Sequence, residues 1–238
     1  MQILISIKSS EELSAAIKGN ADIIDLKNPE EGSLGAACPL FIKQIRKLAR
    51  NRLISVAIGD MPNLPCTAAL AARGAAMFNV DYIKVGLYGV SSYDEALHLL
   101  KSVVKATKEY DPNIMVVGAG YADAINFGGV NPLKIPEITK NAGADIAMLD
   151  TINKNGKKLF DFLNLDDLQT FVKKTHEIGL LVALAGSLQK EDLSTIYELG
   201  TDITGFRGAV CSNNDRKNGL VNEHKVANIM DLVHNLNI

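Results

Sequence analysis

Short apolar runs alternate with amphipathic segments from one end of the chain to the other. The runs Gln2 to Ile7, Ala21 to Lys27, Leu53 to Gly59 and Tyr82 to Leu87 read as strands. So do Asn113 to Gly118, Ile146 to Asp150, Leu180 to Ala185 and Ile203 to Arg207. They are almost continuously apolar, the pattern of strands buried on both faces. Between them, apolar residues recur at helical spacing over Ser9 or Ser10 to Lys18, Pro39 to Arg50, Pro65 to Phe78 and Ser92 to Glu109. The second half continues with Pro132 to Asn141, Leu165 to Ile178, Lys190 to Leu199 and Glu223 to Leu236. Three connections stand out as polar or Gly-rich: Asn28 to Ala37, a hairpin-like insertion at Asn153 to Lys158, and Cys211 to Gly219. Eight strands each followed by a helix, in 238 residues, predict a single (β/α)8 TIM barrel spanning residues 1–238. An open doubly wound sheet would call for a Gly-rich nucleotide turn after the first strand, where this chain has Lys8-Ser9-Ser10.

An internal repeat fixes which residues point inward. The even strands begin Asn20-Ala21-Asp22-Ile23, Asn79-Val80-Asp81-Tyr82, Gly143-Ala144-Asp145-Ile146 and Gly200-Thr201-Asp202-Ile203. The four aspartates recur about every 60 residues, two strand–helix units apart, and are expected to be structural. Three positions beyond them stand Asp25, Lys84, Met148 and Gly205; five beyond stand Lys27, Gly86, Asp150 and Arg207. Equal parity puts all eight on one strand face. The residues between them, such as Ile24, Leu26, Ile83, Val85, Ala147 and Leu149, suit the helix-facing side. The charged set therefore points into the barrel near its C-terminal mouth, where the active sites of such barrels lie.

Asp25, Lys27, Lys84, Asp150, Arg207 and the nearby Lys154 would converge there. A lysine amine is nucleophilic only when deprotonated, and like charge or desolvation lowers its pKa toward neutrality. Two facing lysines can do this for each other, leaving one to form a Schiff base while the other moves protons with the carboxylates. Taken singly, each lysine is an ordinary solvated strand end; three lysines and two carboxylates at one mouth make that reading much weaker. The strand ends Ala185-Gly186-Ser187 and Gly205-Phe206-Arg207-Gly208 match the loops that often hold a phosphate in barrels. The segment Glu31-Gly32-Ser33-Leu34-Gly35-Ala36 forms a second small-residue cradle, so a phosphorylated substrate is expected.

Composition removes several other classes. A net charge of −2 gives no reason to expect nucleic acid or an anionic membrane. No apolar run is long enough to span a bilayer, and the N-terminus lacks the pattern of a secretory signal, so a cytoplasmic protein is the default. Cys38, Cys66 and Cys211 form no CxxC pair, and His98, His176, His224 and His234 fall singly, so no metal site is expected. No Walker motif or dinucleotide fingerprint occurs, and no cofactor is expected. An exposed apolar helix face would make the chain a homo-oligomer.

Several segments carry a specific resemblance. They are Asp22-Ile-Ile-Asp-Leu-Lys-Asn-Pro-Glu-Glu-Gly-Ser-Leu-Gly-Ala36, Asp81-Tyr-Ile-Lys-Val-Gly-Leu-Tyr-Gly89, Ala119-Gly-Tyr-Ala-Asp123 and Ala147-Met-Leu-Asp-Thr151 with Lys154. Leu159-Phe-Asp-Phe162, Ala185-Gly-Ser187 and Arg207-Gly-Ala209 with Cys211 complete the set. Together they resemble the (5-formylfuran-3-yl)methyl phosphate synthase family. The resemblance implies a TIM-barrel lyase that condenses two glyceraldehyde 3-phosphate molecules into a furan aldehyde phosphate, releasing phosphate and water, for methanofuran-type one-carbon carriers. It further implies that Lys27 forms the Schiff base and Lys84 accepts the proton, with Asp25, Asp150 and Lys154 as the remaining polar site residues. Leu26 and Asn153 depart from the family pattern between matched residues. The alternatives are another class I aldolase of sugar phosphates and a non-catalytic barrel that binds a phosphorylated metabolite.

Overall fold

A computed structural model describes residues 1–154 and 156–236. Eight parallel strands close into one barrel in chain order. They are β1 (Gln2–Ile7), β2 (Ile23–Leu26), β3 (Leu53–Pro62), β4 (Tyr82–Gly89), β5 (Met115–Tyr121), β6 (Ile146–Asp150), β7 (Leu181–Leu184) and β8 (Ile203–Phe206). The helices are α1 (Leu13–Lys18), α2 (Pro39–Leu48), α3 (Pro65–Ala76), α4 (Tyr93–Tyr110), α5 (Ile135–Ala142), α6 (Leu165–Glu177), α7 (Leu193–Glu198) and α8 (Glu223–Leu236). The outward-facing strand residues, Ile24, Leu26, Ile83, Val85, Ala147 and Leu149 among them, pack with the helices in one large apolar shell. A smaller cluster fills the barrel interior.

Both signals of the repeat have a structural cause. Asn20, Asn79, Gly143 and Gly200 all have positive φ, 63°, 53°, 77° and 81°. Each ends the preceding turn of helix in the left-handed conformation that asparagine and glycine tolerate best. Two residues later the aspartate turns back. Asp22, Asp81, Asp145 and Asp202 accept from the backbone N–H of Ile3, Ile54, Val116 and Val182, each at 2.7 Å. These carboxylates thus tie each even strand to the start of the odd strand before it, at the end of the barrel opposite the mouth, as structural residues.

Several boundaries move. Ser9 stands where a helix N-cap should be, yet its hydroxyl makes no capping bond. The Glu12 carboxylate instead ties the turn back to β1, accepting from Lys8 N at 2.7 Å. β3 continues past Gly59 to Pro62, with its register to β4 broken after Ala57. β5 runs Met115–Tyr121 rather than Asn113 to Gly118, which brings Tyr121 to the mouth. The expected hairpin-like insertion at Asn153 to Lys158 includes Asn155, which lies outside the described residues. No helix among the described residues is long and apolar enough to cross a membrane.

Candidate active site

The interior is stacked in layers supplied alternately by even and odd strands, as barrel geometry requires. Ile23, Tyr82, Ile146 and Ile203 close the bottom. Asp25, Lys84, Met148 and Gly205 come next on the even strands, and Lys27, Gly86, Asp150 and Arg207 form the uppermost layer. Between these charged layers the odd strands contribute Ser6, Ala57, Ala119 and Ala185. Such small residues leave room for long side chains to lie across the barrel.

Lys84 uses that room. Its Nζ lies 2.8 Å from Asp25 Oδ1, and both side chains are buried, at 2% and 0% exposure. The contact is a buried ion pair, and Ser6 Oγ donates to the other carboxylate oxygen at 2.8 Å. Burial pushes the Asp25 carboxyl up, but the ammonium of Lys84, then that of Lys27, outweighs it and lowers its pKa. A second pair stands higher in the mouth. Lys154 Nζ donates to Asp150 Oδ1 at 2.6 Å and to Thr151 Oγ1 at 2.9 Å. Thr151 N donates to the same carboxylate oxygen at 2.7 Å. Burial again opposes ionisation, and Lys154 and Lys27 again overcome it, so Asp150 is held as a carboxylate well below the usual range.

Lys27 lies between the two pairs and belongs to neither. It is 7% exposed, and no carboxylate among the described residues comes within ion-pair distance. Desolvation lowers its pKa to about 7; Asp150 and Asp25 pull the other way, while Lys84 and Arg216 assist the drop. An ordinary lysine near 10.4 is less than about 0.1% free amine at neutral pH, whereas Lys27 is about half free amine.

These groups open onto a cavity of about 390 Å³ on the β1, β6, β7 and β8 side of the mouth. Gly186, Ser187 and Gly208 line it, where sequence reasoning put a phosphate cradle. Arg207 also borders the cavity, but its guanidinium is already committed. Nη1 donates to Ser6 O at 2.9 Å and to Glu12 Oε2 at 3.0 Å, Nη2 to Glu12 Oε1 at 3.1 Å, and Nε to Arg216 O at 2.8 Å. Glu12, itself buried, adds Val221 N at 3.2 Å. Arg207 is thus a clamp joining β1, β8 and the loop after β8, rather than the expected phosphate ligand. Glu12→Ala would strand a buried guanidinium, and we expect it to cost about 3–5 kcal/mol. Urea unfolding measures that loss, and a change below about 1 kcal/mol would show that the clamp contributes little.

Gly32, Ser33 and Gly35 do not line the cavity. Leu34 N donates to both oxygens of Asp60 at 3.2 Å, so this cradle already holds an anion, the chain's own carboxylate. Ser33 is buried, and a Cβ on Gly32 or Gly35 would overlap Asp60 or Asn28 O. Leu34 is fully buried and joins the interior cluster beside Ala57 and Tyr121, plugging the β3 to β5 half of the mouth. The Tyr121 hydroxyl donates to Asp60 beneath this plug. Gly86 is required there, because a Cβ would overlap the Tyr121 hydroxyl.

Sequence reasoning missed four residues. The register break in β3 hides Asp60 from any parity signal, and Tyr121 lies beyond Gly118, where the fifth strand was expected to end. Asp123 is fully buried and accepts from Ile152 N at 2.8 Å and Asn153 N at 2.9 Å, which fixes the segment carrying Lys154. Arg216 lines the cavity from the loop after β8. Among the described residues no group of three His, Cys, Asp or Glu side chains could hold a metal ion.

Fold and site together define a (β/α)8 barrel with a lysine–carboxylate centre at its C-terminal mouth. The sequence matches the 4-HFC-P synthase family over residues 3–230. It is 51% identical to the (5-formylfuran-3-yl)methyl phosphate synthase of Methanocaldococcus jannaschii over 98% of this chain and 99% of that one. It is 47% identical to the enzyme of the same description from Methanobrevibacter smithii, over 98% of each. The chain belongs to this synthase family. Among solved structures, KGPDC from Streptococcus mutans superposes with a TM-score of 0.66 at 15% identity, covering 98% of this chain and 97% of that one. 3-Hexulose-6-phosphate synthase gives 0.64 at 18%, covering 96% and 99%; these likenesses establish the barrel fold.

Proposed function

We propose that this protein condenses two glyceraldehyde 3-phosphate molecules through a Schiff base on Lys27. The product is (5-formylfuran-3-yl)methyl phosphate, and phosphate and water are released, a carbon–oxygen lyase reaction. The observation that supports it most is a buried lysine with no ion pair among the described residues, its pKa pushed down to about 7 by burial, beside two lysines that are each paired with a carboxylate. Lys27 attacks the aldehyde of one triose, and the resulting iminium acidifies the adjacent carbon. Lys84, once its proton has passed to Asp25 2.8 Å away, takes the proton from that carbon; the enamine expels phosphate from the next carbon along, and the enol so formed attacks the second triose through that carbon. Asp150 remains ionised as a base for the later dehydrations, while the Lys154 ammonium can protonate a departing oxygen or stabilise departing phosphate. The Gly186, Ser187 and Gly208 strand ends would receive the phosphate of the imine-bound triose. Membership of the synthase family supports a furan product, which this reading assigns to cytoplasmic synthesis of methanofuran-type carriers.

Borohydride reduction in the presence of glyceraldehyde 3-phosphate tests the first step. We expect a stable adduct that peptide mass spectrometry places on Lys27, together with a product absorbing in the near ultraviolet without borohydride. An adduct on another lysine would sink the assignment, and trapping without ultraviolet absorbance would point to an ordinary aldolase. The pH dependence has a fixed sign. Trapping requires the free amine, so its rate should climb through about pH 7 and level off above it. An ascending limb near pH 10 would mean that the fold does not desolvate Lys27.

A further inference from the structure

We propose that Arg216 is the residue that receives the phosphate of the second triose phosphate. The proposal rests on the two-triose reading above and adds to it the binding group for the triose that is attacked. Two triose phosphates bring two phosphate groups into one mouth, and the β7 and β8 strand ends supply a cradle for one of them. The other needs a cation whose charge is not already spent. Lys84 is paired with Asp25, Lys154 with Asp150 and Arg207 with Glu12. Lys27 must be neutral to react. Lys217 extends to solvent, with Glu30 at 3.6 Å.

Arg216 differs from all of these. It lines the cavity, half-buried, and makes no ion pair among the described residues. Its side chain donates one hydrogen bond, Nη2 to Gly32 O at 3.3 Å. That bond leads the guanidinium from the loop after β8 across to the loop after β2, which begins at Lys27. The remaining donors are left for a ligand in the planar fork that suits a phosphate. Desolvation and, among the nearby cations, Arg207 lower the Arg216 pKa, although Asp150 opposes them, so a dianion arriving there relieves an electrostatic penalty.

The support beneath Arg216 is rigid. Arg207 Nε donates to its carbonyl at 2.8 Å. The adjacent Asp215 carboxylate accepts from Lys217 N at 2.9 Å, Asn218 N at 3.0 Å and Asn218 Nδ2 at 2.9 Å. Lys225 Nζ braces the base of the loop at Cys211 O and Asn214 Oδ1, both 2.8 Å. A loop so heavily pinned presents its arginine in one place, as a binding group should be held.

The experiment compares Arg216→Ala and Arg216→Lys with the wild type, using glyceraldehyde 3-phosphate alone and two readouts. Borohydride trapping at Lys27 reports the first triose, and near-ultraviolet absorbance reports condensation with the second. For Arg216→Ala we expect trapping within about twofold of wild type and a rise of about tenfold to a hundredfold in the concentration giving half-maximal furan formation. Arg216→Lys, which keeps the charge but not the fork, should recover part of that loss. An unchanged half-maximal concentration in Arg216→Ala overturns the proposal. So does loss of trapping in Arg216→Lys with an unchanged melting curve, because the arginine would then serve the first triose. A wild type that forms neither adduct nor furan overturns the reading of the site and this proposal with it. A wild type that forms both, beside an unaffected Arg216→Ala, overturns this proposal alone.

Discussion

Lys27→Ala should abolish borohydride-trapped adduct and reduce furan formation by at least about 10⁴-fold, the scale on which removal of a covalent nucleophile usually falls. The expectation rests on the inability of neighbouring amines to take over. Lys84 and Lys154 stand 2.8 Å and 2.6 Å from carboxylates, each engaged as the cation of an ion pair. Lys27, by contrast, gains about a thousandfold in free amine over an ordinary lysine from its depressed pKa. Lys27→Arg serves as the control that keeps a cation and removes the nucleophile, and it should be equally inactive. Turnover within about tenfold of wild type in either variant would dismiss covalent catalysis at this position.

Removing this amine has a consequence for stability, with a sign opposite to its effect on activity. Lys27 has a pKa of about 7 in the folded state and 10.5 as its reference value. Between those values the unfolded chain binds more protons, so wild-type stability rises with pH from about 7 to about 10. Below pH 7 the protein carries a buried, unpaired ammonium. The isosteric Lys27→Met should therefore be more stable than wild type at pH 6, by as much as about 4 kcal/mol. It should also lose the upward slope toward alkaline pH, as denaturant titrations at several pH values would show. The wild type thus gives up stability to keep this amine reactive, which is how an active-site group differs from a structural one.

The main frame of the site was legible because it depends only on strand parity. Asp25, Lys27, Lys84 and Asp150 share a face by counting along their strands, and the repeat aligned one strand with the next. The left-handed Asn20, Asn79, Gly143 and Gly200 with their aspartates gave the repeat its signature, and the structure explains each residue of it. What counting could not supply was which charges cancel. Arg207 has the right parity for a substrate ligand, yet its partner Glu12 lies 195 positions away in sequence, on the turn after β1. Gly32 and Gly35 have the composition of an anion cradle and do cradle one, but the anion is Asp60. That carboxylate rises from the part of β3 where the register breaks, so no periodicity announced it. Arg216 sits in a loop whose course is set by Asp215 and Lys225, and no pattern of apolar residues reaches that far. Local sequence carried the positions on strands; only the assembled fold showed which side chains were already taken.

Asp25→Asn tests the other half of the centre, and its effect should be nearly as large. Amide replacement preserves shape but removes the negative charge 2.8 Å from the Lys84 ammonium, which is almost completely buried. An unpaired charge in such a place costs about 3–5 kcal/mol, so thermal or urea unfolding at neutral pH should register a loss of that order. If the loss comes from the stranded ammonium rather than from damage to the barrel, adding Lys84→Met should restore most of it. The double variant lacks both charges and fills the same space, so a double-mutant cycle should show strong coupling. Turnover must behave differently. Asp25→Asn should lower furan formation by about 10² to 10³-fold, since Lys84 loses the partner that takes up its proton. The double variant, although stable, should be no more active than Lys84→Ala, while both still form the Lys27 adduct. Stability that returns without activity would separate the structural part of this ion pair from its part in proton transfer. Activity that returned with stability would show that Asp25 and Lys84 serve only to hold the barrel mouth together.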